Sequence, residues 1–312
     1  MNVYYTPIFL EHKTGRHPER PERLSVCVSA LEGAAGAVRF VMPRAARRKD
    51  IERIHSPRHV DYLEKLSKAG GGMPDPDTVM SGRSFEAALL AAGAAVEAAL
   101  DAATGRDGNP LALVRPPGHH ARPAKAMGFC LLNNVAIAAA RLLEEGIERL
   151  AILDFDVHHG NGTQEAFYDD GRVMFVSFHR SPFYPGTGSR GETGAGEGEG
   201  LMLNVPLPHN TSASRYLVLW REALRGKVAP FAPEVLLVSA GFDNYRSDPV
   251  GGLNFEQADF RAVGESIRST ADGACGGRVA SILEGGYDLG ALPGSLLAYL
   301  AGLGAVDGAE GG

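Results

Sequence analysis

Five short, almost continuously apolar runs constrain the fold of this chain more than any other feature: LALVR (111–115), RLAILDFD (149–156), RVMFVSFH (172–179), EVLLVSAG (234–241) and RVASILEGG (278–286). A strand with one face in water alternates apolar and polar residues, whereas an unbroken apolar run fits a strand covered on both faces. Helical patterns lie between the runs. NNVAIAAARLLEEG (133–146) starts on Asn and ends on Gly, and SASRYLVLWREALRGKV (212–228) is amphipathic with Ser available as N-cap. NFEQADFRAVGESIRSTA (254–271) and LGALPGSLLAYLAGL (289–303) continue the alternation, and SFEAALLAAGAAVEAALDAA (84–103) is the longest helix expected in the first third. Strand, helix, strand in this order builds an open parallel sheet with helices on both faces.

At 312 residues and 44% hydrophobic, the chain can bury a large core. It shows neither a composition break nor a fixed-period repeat, so one domain over 1–312 is expected. The segment PGTGSRGETGAGEGEG (185–200) contains GTGSRG, a formal G-x-G-x-x-G. No strand directly precedes it and no helix opens from it, so it reads as a flexible surface loop, not a dinucleotide site.

A net charge of -6 supplies no broad positive field, and direct nucleic-acid binding is not expected. The cysteines Cys27, Cys130 and Cys275 form no CxxC pair and read as reduced thiols. The opening MNVYYTPIFLEHKTGRHPERPERL lacks a basic segment followed by a long apolar one, so no secretory signal is expected. No run approaches the roughly 18 uncharged apolar residues of a membrane span. The expectation is a cytoplasmic protein with no membrane partner; the sequence leaves its oligomeric state open.

In a doubly wound sheet the ligand crevice lies at the carboxyl ends of the strands. Here those ends carry PPGHH, DVHHGNG, HRSPFYPGTG, FDNYRSDP and YDLG. Asp156 and His158 are two residues apart, so if the strand persists their side chains leave the same face. A carboxylate and an imidazole are good ligands for a divalent ion, and Asp243 can supply a third. Three protein ligands and an open position describe a catalytic metal site. An isolated Asp-x-His is common in surface loops; the convergence of His119-His120, the 154–159 cluster and Asp243 on strand ends gives the pattern its weight.

Either His119 or His120 can exchange a proton near neutrality. Asp154 and Asn161 are natural partners for the two rings, and a carboxylate on one but a neutral amide on the other would drive their pKa values apart. Tyr287, after LEGG, can donate to an oxyanion. Phe129 and Tyr184 can wall a narrow apolar channel. His159 has no catalytic part in this reading.

Together, RPPGHHA, MGFCLLNNVAIAA, DFDVHHGNGTQ, SPFYPGTG, SAGFDNYRSDPVGG and LEGGYD resemble, in order and spacing, the motifs of the zinc-dependent histone deacetylase family, which includes acetylpolyamine amidohydrolases and acetoin-utilisation proteins. HKTGRHPERPERL (12–24) and HSPRHVDYLE (55–64) resemble its N-terminal motifs. The resemblance implies an arginase-like three-layer α/β/α fold. It implies zinc held by Asp156, His158 and Asp243, His120 as general base and acid, and Asp154 orienting His119. Tyr287 becomes the oxyanion donor, Phe129 and Tyr184 the channel walls, and the Gly128 carbonyl the acceptor for the substrate amide N–H. Potassium is implied at Asp154, Asp156, His158, Ser177 and Phe178, and at Phe167, Asp170 and Val173 for part of a second position. Asp77 matches the loop acid that holds a substrate backbone.

Asn161 stands where some members carry aspartate, a pattern similar to the class II branch. Val250 stands where the eukaryotic polyamine-selective branch has an acidic gatekeeper. The expected reaction is hydrolysis of an acylated amine, such as acetyl-lysine or an acetylpolyamine. Two rivals remain: a binuclear manganese ureohydrolase of the arginase fold, which SAGFDNYRSDP loosely resembles, and a catalytically silent acyl-amine binding protein.

Overall fold

A computed structural model describes residues 1–34, 38–105 and 108–306. The five apolar runs become β5 (Leu111–Ala112), β6 (Leu150–Asp154), β7 (Val173–Arg180), β9 (Val235–Ala240) and β10 (Val279–Leu283). They are joined by β1 (Asn2–Tyr4), β2 (Arg39–Val41) and β8 (Met202–Leu207), while β3 (Gly71–Asp75) and β4 (Thr78–Ser81) form a separate antiparallel hairpin. The main sheet has eight strands in the order β2-β1-β5-β10-β9-β6-β7-β8, parallel at every pairing.

Every residue of β6, β9 and β10 is buried, as expected for strands covered on both faces. Each fully buried Val, Leu or Ile side chain in such a layer contributes about 1.5–3 kcal/mol. The edges differ. The β2 residues are exposed or half-buried, and β8 carries Pro206, a residue that edge strands tolerate because one side of the ladder needs no donor. Neither edge has the unbroken apolar pattern of the central strands.

Helix Asn134–Glu144 is capped by Asn133, whose side chain accepts from the Ala136 N–H. Helix Gln257–Cys275 begins three residues later than expected, where Glu256 and Asp259 form a reciprocal capping box. The expected helix over 212–228 is α-helical for Ala213–Ala223 and widens to π geometry over Leu224–Val228. Helix Ser84–Thr104 is long and apolar enough by length and composition to cross a membrane, although Glu86, Glu97 and Asp101 leave no uncharged run of that length. Its alanines, including Ala87, Ala91, Ala95 and Ala98, are fully buried, so it is a core helix.

Two expectations fail locally. The run 111–115 pairs only over Leu111–Ala112, because the chain turns away into Pro116-Pro117. The strand beneath Asp156 and His158 stops at Asp154, so strand alternation does not align those side chains. A turn brings them together instead. Adjacent strands end in register, with Asp154 facing Ser177 on β7 and Ser239 on β9, and the loops that follow share one edge.

Candidate active site

The turn after β6 folds back on its own carboxylates. The Asp154 side chain accepts from the Asp156 N–H (3.1 Å), and Asp156 accepts from the His158 N–H (2.9 Å). Asp243, in the loop that follows β9, accepts from the Val157 N–H (2.9 Å), which ties the two loops together. As a result Nδ1 of His158 lies 3.0 Å from Asp156 Oδ1 and 3.1 Å from Asp243 Oδ2. Donor atoms of Asp156, His158 and Asp243 all lie within 4.8 Å of one another, and all three residues are buried.

This donor set fits a divalent ion. Ligands at about 2.0–2.1 Å from a tetrahedral centre stand close to the separations seen here. Asp243 Oδ2 is buried without a hydrogen-bond partner, since the nearby imidazole nitrogen is not aimed along an N–H toward it. Burial, reinforced by Asp156, pushes the Asp243 carboxyl up to about 7, although His158 opposes the rise. Burial resists protonation of His158, yet Asp156 and Asp243 raise it to about 9. The cluster therefore calls for positive charge. Gly285 leaves room for both carboxylates: its N–H donates to Asp156 Oδ2 (2.8 Å), and a Cβ there would collide with Asp156 and Asp243.

The tandem histidines take different partners. His119 donates from Nδ1 to Asp154 (3.0 Å), and His120 donates from Nδ1 to the Asn161 side-chain oxygen (2.8 Å). Both rings thus carry a proton on Nδ1, and a neutral His120 keeps its Nε2 lone pair free to accept one. Burial disfavours charge on His119, but Asp156, Asp154 and Glu284 outweigh it and raise the ring to about 10. Burial, with His119 and His158 close by, holds His120 well below its ordinary value. The surroundings therefore drive the two rings apart, His119 toward the charged form and His120 toward the neutral one.

His119, His120 and His158 line a narrow cavity of ≈220 Å3. A larger groove of ≈520 Å3 lies around Arg221, Arg225 and Glu265, but it holds none of the buried ionisable groups that converge here. Phe129 stands edge-on to Tyr287 (5.8 Å), and Tyr184 edge-on to His120 (5.1 Å). Phe129 occupies the tip of a turn closed by paired Met127 and Cys130, with φ of +70° after Gly128 at +56°. Holding a phenylalanine in the left-handed region costs of order 1–3 kcal/mol, and its N–H bond to Thr78 Oγ1 (3.1 Å) helps keep it there. The Gly128 carbonyl accepts from the Cys130 thiol (3.2 Å) and retains a second lone pair.

Tyr287 is anchored from behind by Asp248, which accepts from the N–H groups of Tyr287 (2.6 Å), Val250 (2.9 Å) and Gly251 (3.0 Å). Burial keeps the Tyr287 phenol well above its ordinary value despite Arg23, whose guanidinium lies 4.7 Å over the ring. Tyr287 is therefore a proton donor at neutral pH. Val250 and Asp77 also line the cavity, Asp77 from the β3–β4 turn.

Several contributors escaped the sequence reading. Phe183 lines the cavity and stacks on His158 (5.0 Å, 16° between planes), beside the expected Tyr184. Asp248 and Glu284 looked like ordinary loop and strand-end acids. Arg23 and Arg115 pair with the buried Glu19 beneath the site; their place inside HPERPER and RPPG was the available signal. His159, which has no catalytic part in the sequence analysis, joins Thr187 (2.8 Å) and Gln164 (3.1 Å). With His179, which meets the Gly188 carbonyl (3.0 Å), it pins the glycine-rich segment, which is therefore an anchored loop, not the flexible one expected. All three cysteines are free and buried.

At the implied potassium positions, Asp154 and Ser177 are register partners on β6 and β7, and the Ser177 hydroxyl meets His179 Nδ1 (2.9 Å). Phe178 is buried against Tyr216 and Trp220. Phe167, Asp170 and Val173 follow one another in a turn in which the Phe167 and Asp170 carbonyls accept from Asp170 and Val173.

Residues 17–303 match the histone deacetylase domain, and the chain belongs to that family. A "Probable deacetylase" of Archaeoglobus fulgidus is 42% identical over 310 residues, spanning 98% of this chain and 86% of the relative. "Histone deacetylase 15" of Arabidopsis thaliana is 38% identical over 93% of this chain and 53% of its own length. The crystal structure of the HDA15 HD domain superposes with a TM-score of 0.92 at 36% identity, covering 97% of this chain and 88% of that one. The acetylpolyamine aminohydrolase from Burkholderia pseudomallei superposes with a TM-score of 0.87 at 32% identity, covering 98% and 99%. The fold is thus the arginase-like α/β fold of these proteins, and family membership makes the chain a deacetylase-type hydrolase.

Proposed function

We propose that the protein is a zinc-dependent deacetylase that hydrolyses a slim acylated amine, an acetyl-lysine side chain or an acetylpolyamine. The observation that carries this reading is the buried Asp156, His158 and Asp243 triad, whose His158 lines an aromatic-walled cavity together with His120, held toward its neutral form, and a protonated Tyr287. When bound, zinc would polarise the acyl carbonyl and acidify a water next to it. The chain's own residues do the rest. Phe129, Phe183 and Tyr184 hold the alkyl stem and exclude water, and the Gly128 carbonyl accepts the amide N–H. His120 Nε2 takes the proton from the attacking water, and Tyr287 donates to the oxyanion. His120 then returns the proton to the leaving amine, while charged His119 stabilises the negative charge. Asp77 receives polar groups of the substrate at the rim, and Val250 lines the mouth without adding charge.

Potassium belongs to the same reading as a structural ion, at Asp154, Asp156, His158, Ser177 and Phe178, with Phe167, Asp170 and Val173 part of a second position. So does a cytoplasmic location, which cell fractionation tests. The deciding experiment measures acetate release from acetyl-lysine peptides and acetylated small amines, using chelated protein and the same protein refilled with zinc. Zinc-restored hydrolysis supports the reading. Two tightly bound manganese ions per chain would instead favour a binuclear ureohydrolase, and tight acetyl-amine binding without acetate release a silent binding protein.

A further inference from the structure

Glu284, the residue after β10, is fully buried, yet among the described residues its carboxylate is paired with no lysine or arginine. A buried carboxylate without a cationic partner is costly unless hydrogen bonds compensate it. Its partners are specific. Oε2 accepts from the N–H of Gly118 (2.7 Å) and from the N–H of His119 (3.1 Å), and Oε1 accepts from the Ser239 hydroxyl (3.1 Å). One oxygen therefore holds two successive backbone donors at the head of the tandem-histidine turn.

The other supports of that turn act elsewhere along it. The Asn133 side chain donates to the Ala121 carbonyl (3.3 Å), and Asn134 donates to the Pro116 carbonyl (3.1 Å). Carbonyls on both sides are tied down by amides, but the N–H groups of Gly118 and His119 face Glu284. Burial pushes the Glu284 carboxyl up to about 7, against the pull of His119 and the Gly118 N–H. Removal of this acceptor would leave two buried donors unpaired, and the turn would rotate to satisfy them.

We infer that Glu284 is a positioning residue for the proposed hydrolysis: its hydrogen bonds to the Gly118 and His119 N–H groups fix the backbone from which both histidines reach the cavity. The inference rests on the proposed function for its catalytic consequence. What matters is the reach of an acceptor oxygen, so charge and reach can be separated. Glu284→Gln keeps an oxygen for the turn and offers its amide N–H to Ser239. Glu284→Asp keeps the charge but withdraws it by one methylene.

Kinetics are measured on whichever acetylated amine the wild type turns over, with zinc content checked in each variant. Backbone hydrogen exchange over 116–122 supplies a readout independent of activity. Glu284→Asp should lose kcat by about 10²-fold, as expected for a misplacement near 1 Å, with KM within about threefold and zinc retained. It should also exchange faster over 116–122. Glu284→Gln should keep kcat within about fivefold and exchange as the wild type does. Wild-type kcat and exchange in Glu284→Asp would overturn the inference, as would a Gln variant as impaired as the Asp variant. A wild type inactive on every substrate would remove the proposed function, while the exchange comparison would still decide whether Glu284 fixes the turn.

Discussion

His120 donates from Nδ1 to the side-chain oxygen of Asn161 at 2.8 Å, so the ring placed to act as a base is oriented by a neutral amide. A carboxylate at 161 would favour the imidazolium. Asn161→Asp should therefore raise the His120 pKa. A base must be neutral to act, so the acid limb of the kcat/KM profile should move to higher pH by about one unit, with alkaline activity retained. An unmoved limb would remove His120 from the base role.

Tyr287 offers a protonated hydroxyl in the cavity, its ring edge-on to Phe129. Loss of an oxyanion donor typically costs about 10²–10³ in kcat. Tyr287→Phe should show a loss of that order on an acetyl-lysine substrate while zinc stays bound by elemental analysis. An unchanged rate would show that the oxyanion is stabilised elsewhere.

The unpartnered Asp243 Oδ2 predicts opposite effects on metal binding and on the metal-free fold. Asp243→Asn should bind far less than one zinc per chain. Its metal-free form should melt no lower than metal-free wild type, because a buried carboxylate pushed up to about 7 has been replaced by a neutral group. A fully loaded Asn variant would place the metal on other ligands.

Buried neutral histidines should make the fold acid-sensitive. His55 donates from Nδ1 to the Arg122 carbonyl (3.0 Å) and accepts the Asn133 N–H at Nε2 (2.8 Å), a pattern that requires the neutral ring. Burial, helped by His59, lowers it to about 3, and burial with His159 lowers His179 to about 3 as well. Between pH 6.5 and about 3 the unfolded chain binds protons that the folded chain refuses, so stability rises with pH. It should be fully present above about 6.5 and fall on acidification by up to about 1.4 kcal/mol per pH unit for each such ring. Urea unfolding at pH 7.5 and 5 measures the slope, and His55→Gln should flatten it. Equal stability at both pH values would refute the account.

The central sheet was legible because β6, β9 and β10 are buried on both faces and therefore apolar throughout. The edge strands β2 and β8 carry no such pattern and went unread. The metal-type donors, both histidines and Tyr287 stood out because each sits in a dense run of chemistry after a strand. Phe183, Asp248 and Glu284 did not. An aromatic beside an expected aromatic, and two acids whose work is to accept backbone N–H groups, look ordinary until their partners are known.

The layered parallel sheet and the edge on which the reactive groups collect follow from the order of residues alone, because periodicity and strand-end placement are local properties of the chain. How those groups meet depends on long-range packing. Asp156 and His158 converge through a turn after β6 ends, Asp243 supplies an orphan oxygen from the loop after β9, and Glu284 reaches back to Gly118 and His119. Such contacts depend on distances between remote segments and on which buried polar atoms remain unsatisfied, and only the packed chain sets these.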